Sequence, residues 1–151
     1  FNIEDADQLA HLANNKKISD NLRDAFPHPY KMDDAIRFIR FCNSESPLQK
    51  FAIEYNNQLV GAVGLVIQND VYKFNAELGY WLGEPYWGKS IMVDAIKQIV
   101  FYGFNELNLV RLYSSVFEFN QNSKRVLEKA GFEFEGIGKN VVYKSGKSWV
   151  K

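Results

Sequence analysis

Glu84-Pro85-Tyr86-Trp87-Gly88-Lys89-Ser90-Ile91-Met92 joins a strand-like run, Ala76-Glu77-Leu78-Gly79-Tyr80-Trp81-Leu82, to a helix-like run from Val93 to Phe104. A strand that turns through a glycine into a helix leaves several backbone N–H groups unpaired and pointing the same way. With the positive end of the helix dipole, they suit phosphate oxygens. Gly88 permits a positive φ, or a close approach to a ligand that a side chain would obstruct. Single glycines are common at such turns, so spacing alone equally describes an ordinary connection. The flanking segments decide between the two.

Upstream, the hydrophobic period is two. Phe51 to Tyr55 and Leu59 to Ile67 read as strands about a tight Asn56-Asn57 turn. A turn at Asn69-Asp70 leads through Val71 to Phe74 into the Ala76 to Leu82 strand, which gives an antiparallel meander. Ala6 to Ala13 carries Leu9, Leu12 and Ala13 at helical spacing, and Asn14 to Ile18 reads as loop. Pro27-His28-Pro29 stiffens a connector from Asp20 to Tyr30. Asp33 and Asp34 open another helix, with Ala35, Ile36, Phe38, Ile39 and Phe41 as its buried face and Pro47 beyond its end. Downstream, a helix from Ser90 to Phe104 crosses to a strand at Val110 to Val116. That length suits parallel pairing with Ala76 to Leu82. Asn120 caps a helix from Gln121 to Ala130, Gly131 stops it, and Phe132 to Tyr143 is a last long strand ending at a Ser145-Gly146 turn.

Composition narrows the class. The 151 residues suit a single domain (1–151) with a real core, and a hydrophobic content of 46% argues against disorder. Zero formal net charge provides no field that would draw the chain to nucleic acid or to an anionic membrane. Lys16-Lys17 and the Lys139 to Lys151 tail read as solvated surface. Cys42, the one cysteine, excludes an intramolecular disulfide and points to a reducing compartment. His11, His28 and Cys42 draw no zinc pattern, so no metal is expected. No apolar run is long enough for a bilayer, and no secretory pattern opens the chain. The expectation is a soluble, cytoplasmic protein without a membrane partner.

Several pieces now stand in a telling order. They are Asn21-Leu22-Arg23-Asp24 with Pro27-His28-Pro29-Tyr30, the Ala76 to Leu82 strand, and Tyr86-Trp87-Gly88-Lys89. Asn120-Gln121-Asn122-Ser123 and Leu127-Glu128-Lys129-Ala130-Gly131-Phe132 follow. Over nearly its whole length the chain resembles the GNAT superfamily of acetyl-CoA-dependent N-acetyltransferases, and most closely the Rim-type branch that acetylates ribosomal-protein N-termini. The resemblance implies an α/β (α+β) fold: a mixed, mostly antiparallel sheet flanked by helices, with splayed parallel central strands. It implies acetyl-CoA as cosubstrate, lying where the Ala76 to Leu82 and Val110 to Val116 strands part. The pyrophosphate would rest on Trp87, Gly88, Lys89, Ser90, Ile91 and Met92. The pantetheine arm would pair with backbone near Trp81 and Leu82 and with Asn120.

Three positions depart from the family pattern: Ser90 stands where Gly or Ala is usual, Met92 where a small residue is usual, and Pro85 falls one place late. The family's first and last strands look absent or truncated, which makes a homodimer plausible. Acetyl transfer to an amine needs alignment, removal of a proton from the ammonium, and protonation of the departing thiolate. Strand alternation sets Glu77 and Gly79 on one face, with Ala76, Leu78 and Tyr80 on the other. Glu77 is the candidate base and, by resemblance, Ser123 the candidate acid. Each has an ordinary alternative: a half-exposed strand carboxylate, and a serine in a first helical turn. Tyr86 and Tyr113 are further donors, though aromatics at such positions more often pack. By the same analogy Arg23, Asp24, His28 and Tyr30 line the acceptor pocket. Cys42 has no activating neighbour and is set aside. The leading expectation is an acetyl-CoA:amine N-acetyltransferase whose acceptor is a protein N-terminus, a polyamine or a small-molecule amine. The alternative is a noncatalytic acyl-CoA-binding or protein-interaction domain on the same fold.

Overall fold

Alternation along the strand that precedes the turn divides two apolar cores. In the computed structural model, which describes residues 1–139, 141–144 and 147–149, this strand is Asn75–Leu82. Its Ala76, Leu78 and Leu82 enter one buried cluster, while Trp81 enters the other. Chain order gives helices Ala6–Ala13 (α1), Lys16–Ser19 (α2) and Met32–Ser44 (α3), then strands Lys50–Tyr55 (β1), Gln58–Ile67 (β2) and Asn75–Leu82 (β3). Ile91–Asn105 (α4), Arg111–Tyr113 (β4), Gln121–Lys129 (α5), Val142–Lys144 (β5) and Lys147–Trp149 (β6) follow. The first four strands form a sheet in sequence order, antiparallel from β1 to β3 and parallel between β3 and β4. This is the mixed, helix-flanked sheet expected, with its parallel pair at the β4 edge.

Each face has its own helices. Met92, Ile96 and Ile99 of α4 and Leu127 of α5 pack with Val60, Val63 and Leu65. Leu9 of α1 and Ala35 and Ile39 of α3 pack with Leu59, Ala62 and Trp81. One irregularity matters to the site. Ile53 pairs with Gly61 and Glu54 with Leu59, so Val60 is an extra residue in β2. Its carbonyl accepts from the Gly83 amide at 2.8 Å and so fastens the chain where it leaves β3.

Several boundaries differ from expectation. Asn14 to Ile18 is not all loop: the Asn15 side chain accepts from the Lys17 amide at 2.9 Å and caps α2, whose Ile18 is buried. Phe41 is 55% exposed, and Cys42 instead follows Ala35 and Ile39 on the buried face. The i, i+4, i+7 spacing of those three passes Phe41 by. Val71 to Phe74 is no strand; Asp70–Tyr72 forms a 3-10 turn inside the β2–β3 connection. Helix α4 begins at Ile91, with Ser90 as its cap. The Val110 to Val116 strand shrinks to three residues because the chain leaves β3 after Tyr113.

The long Phe132 to Tyr143 strand is also absent. With β4 so short, no ladder exists to receive it, and Glu135 is held instead by Arg111 Nη1 at 2.9 Å. Among the described residues there, Val142–Lys144 forms the one paired strand, antiparallel with Lys147–Trp149. A strand therefore does follow Ser145-Gly146, a turn that itself lies outside the described residues. The chain before α1 forms a 3-10 turn, Ile3–Asp5, capped by Asn2.

Close backbone approach between β2 and β3 generates a test. A Cβ at Gly61 would fall on the Trp81 carbonyl oxygen and stand 3.0 Å from Leu82 Cα, whereas one at Gly79 would meet nothing described within 4 Å. Gly61→Ala is expected to destabilise by about 1–3 kcal/mol and Gly79→Ala by well under about 1 kcal/mol in denaturant unfolding. Equal losses would contradict the register.

Candidate functional site

The turn between β3 and α4 is built from the backbone. After the Gly83–Val60 bond, Glu84–Tyr86 makes a 3-10 turn with Pro85 in its first positions, where a missing N–H costs nothing. Gly88 then takes φ +78° and Ser90 φ +59°. Ser90 caps α4 without a side-chain cap bond, and the first helical amide to find a carbonyl is Asp94, at 3.4 Å from Ser90. The amides of residues 88–93 thus have no acceptor among the described residues. A Cβ at Gly88 would meet no described atom within 4 Å, so the space before these donors is open. Such an open row of unpaired donors on a helix N-terminus fits a diphosphate.

Side chains leave that cradle clear. Met92, large where a small residue is usual, turns into the core. Lys89 stays beside it, its ammonium 5.9 Å from the centre of the Tyr86 ring. Glu84, the carboxylate that precedes the cradle, is drawn off by Asn15 Nδ2 at 2.8 Å and Lys17 Nζ at 2.9 Å, while Asp94 follows the cradle as an exposed side chain in the first turn of α4. The Asn15 bond first, and then Lys17, hold the Glu84 carboxyl below the usual range.

Next to the cradle, the sheet opens. Pairing of β3 with β4 ends at Glu77 and Tyr113. Gly83 donates towards β2, so alternation turns Trp81 to β2 as well and sends Leu78, Tyr80 and Leu82 the other way. Ser114 Oγ donates to the Leu78 carbonyl at 3.0 Å, and the Trp87 indole N–H donates to the Leu82 carbonyl at 2.7 Å. Both peptide groups of Tyr80 and the Leu82 amide are left facing the gap. The Leu82 amide thus faces the gap, whereas the Trp81 backbone pairs opposite Ala62 and its ring is core. The peptide groups of Tyr80 face the gap beside Leu82.

Two polar groups flank this gap from opposite faces. On one, Arg23 Nη2 donates to both oxygens of Glu77, at 3.0 and 3.1 Å. Tyr113, opposite Glu77 in the ladder, has its phenol pushed up by burial and then by the Glu77 charge. On the other face, the Tyr80 hydroxyl lies in very short contact with Ser123 Oγ. Burial raises the Tyr80 phenol, and the Ser123 bond acts against that rise. Asn120 Oδ1 accepts from the Ser123 amide at 3.3 Å, which caps α5 and leaves the Asn120 amide nitrogen unpaired among the described residues.

The expected acceptor residues divide. Arg23 is at Glu77. Asp24 meets Lys144 Nζ at 2.8 Å, tying the connector to β5. His28 is exposed on the connector. Tyr30 is core rather than lining: its ring stacks on Phe26 with centroids 5.0 Å apart, and burial foremost, then Asp34, pushes its phenol up to about 12. The Tyr86 hydroxyl turns to Gln58 at 3.4 Å. Cys42 is buried, and its thiol is pushed up to about 11 by that burial, as befits a packing residue. Tyr80, absent from the expected set, was signalled only by sharing a strand face with the Ser123 side.

The chain is similar to known proteins. The pattern for the Acetyltransferase (GNAT) domain matches residues 1–133. A probable N-acetyltransferase of Bacillus subtilis (strain 168), YjcK, is 40% identical over 93 residues, which are 60% of this chain and 50% of that protein. The chain thus spans about half the length of that relative. Spermidine N(1)-acetyltransferase of Escherichia coli (strain K12) is 30% identical over 135 residues, 88% of this chain and 70% of that one. Among solved structures, Mycobacterium smegmatis RimJ in complex with CoA-disulfide superposes with a TM-score of 0.87 at 19% identity, covering 99% of this chain and 76% of that one. At that identity the likeness is one of fold.

Left-handed backbone at Ser90 generates a second test. A side chain in that region costs about 1–2 kcal/mol, and this one forms no cap bond in return. Ser90→Gly is expected to raise stability to denaturant by up to about 1 kcal/mol, part of the gain being lost to added freedom in the unfolded chain. A clear loss of stability would show that the serine hydroxyl holds the turn.

Proposed function

Because the chain belongs to the GNAT family of acetyl-CoA-dependent N-acetyltransferases, we propose that it transfers an acetyl group from acetyl-CoA to a primary amine by direct attack, with Glu77 as base and Ser123 as acid. The observation that carries this reading is the row of unpaired amides at residues 88–93, which opens beside a gap flanked by Glu77 and Ser123. Acetyl-CoA, when bound, supplies the activated acetyl group. The amides of 88–93 hold its diphosphate, while the Tyr80 peptide groups and the Asn120 side-chain amide take up its pantetheine arm. The Leu82 N–H faces the gap and polarises a carbonyl placed there.

Glu77 accepts the ammonium proton on the Arg23 side of the sheet. On the other side, the Ser123 hydroxyl gives a proton to the departing thiolate and regains one from solvent through the Tyr80 phenol it contacts. The second proton of the attacking nitrogen leaves to solvent as the adduct collapses. Placing base and acid on opposite faces keeps them from neutralising each other. One observation favours the noncatalytic alternative: Glu77 is already occupied by the chain's own Arg23.

Calorimetry with acetyl-CoA, followed by a thiol-release assay over an amine panel, separates the readings. Glu77→Gln is expected to lower kcat by about 10²–10⁴-fold and leave acetyl-CoA affinity unchanged. Gly88→Asp, which sets a carboxylate in the cradle, is expected to weaken acetyl-CoA binding by at least about 100-fold, the scale of an unpaired like charge. Tight binding with no turnover on any amine would favour the noncatalytic domain. Full activity in Glu77→Gln would remove the base assignment.

A further inference from the structure

The neighbourhood of Glu77 also speaks to the acceptor, given the transferase reading above. Arg23 lies in the connector between α2 and α3, and the residues that follow it anchor its backbone. Its carbonyl accepts from the Phe26 amide at 3.0 Å, and the Phe26 ring packs on Tyr30 and Trp81 at 5.0 and 5.9 Å. Asp24, next in the chain, is held by Lys144. The guanidinium itself is 71% exposed, while Glu77 is 21% exposed. With its guanidinium so exposed the pair is screened by water, so an incoming ammonium displaces Arg23 from the carboxylate at little cost.

The positive charge cannot leave with it. The anchors keep the guanidinium within reach of the spot it vacated. Two neighbouring carboxylates among the described residues are engaged elsewhere, Asp24 with Lys144 and Glu135 with Arg111. Tyr113, the remaining titratable group beside Glu77, is neutral at ordinary pH. An acceptor carrying a second positive charge meets repulsion there, while one carrying an anion beside its amine finds a planar donor fork.

We propose that Arg23 selects acceptors with a carboxylate adjacent to the reacting amine, that is, free α-amino acids. The acceptor's ammonium takes Arg23's place on Glu77, and its carboxylate takes Glu77's place on Arg23. One internal ion pair is exchanged for two, and the net charge of the site is unchanged. Polyamines and peptide N-termini are disfavoured, the first by charge and the second because an amide stands where the carboxylate should be.

The experiment measures binding and turnover separately. Calorimetry in the presence of coenzyme A compares the full set of α-amino acids, their carboxamides, and spermidine. Thiol release from acetyl-CoA is then followed with the same compounds. At least one amino acid is expected to bind about tenfold or more tightly than its carboxamide and than spermidine. Arg23→Gln should erase that ratio, and Arg23→Lys should restore part of it. Equal binding of acid and carboxamide, preference for spermidine, no binding by any amino acid, or a ratio unchanged in Arg23→Gln would each overturn the proposal. Binding with the expected ratio but without thiol release would sustain the Arg23 assignment and sink the transferase reading.

Discussion

The parting of β3 from β4 after Tyr113 is the constraint on which the site depends. A parallel ladder that continued would consume the peptide groups of Tyr80 and Leu82 and close the sheet. Because β4 is only three residues long, those groups are spared, and what crosses the opening is side-chain chemistry. Ser114 reaches Leu78 at its narrow end, Tyr80 reaches Ser123 further along, and Trp87 reaches Leu82 at the mouth. The same divergence leaves α5 close enough to offer its capped N-terminus to one face. It also explains why, among the described residues, the chain after α5 does not join the four-stranded sheet but pairs only with itself.

A second dependence runs through β2. The extra residue at Val60 turns its carbonyl to Gly83, so the exit of β3 is tied to the strand behind it. From that fixed point the chain needs only a 3-10 turn and two left-handed residues to begin α4. The helix is seated by Met92, Ile96 and Ile99 in the core, and its unpaired amides are therefore presented by packing forces some distance from them.

Much of this was legible in the residues. Period-two alternation gave β1 to β3 and their antiparallel order, and the length of the crossover gave the parallel pairing of β4. Gly88 marked the turn, and Asn120 marked its helix start, since each signal is local. What the sequence hid was set by tertiary contact. Phe132 to Tyr143 alternates well enough for a strand, yet a strand needs a neighbour, and the brevity of β4 is decided elsewhere in the chain. Tyr30 and Phe41 were misplaced for a similar reason, because an aromatic ring reads the same whether it lines a pocket, fills a core or lies on the surface. Arg23 and Glu77, far apart in sequence, carry no mark that they meet. Tyr80 was hidden by its neighbours, one of three aromatic or apolar residues in a row.

The two halves of the opening are supplied by separate stretches of chain. The end that receives the nucleotide comes from β3, its turn and α4, held by main-chain bonds and by the Trp87 indole. The end proposed to meet the amine adds to Glu77 of β3 the connector before α3, held by the Phe26 ring and a surface pair. On that proposal, replacements in the connector would change which acceptors bind without loosening the grip on the donor.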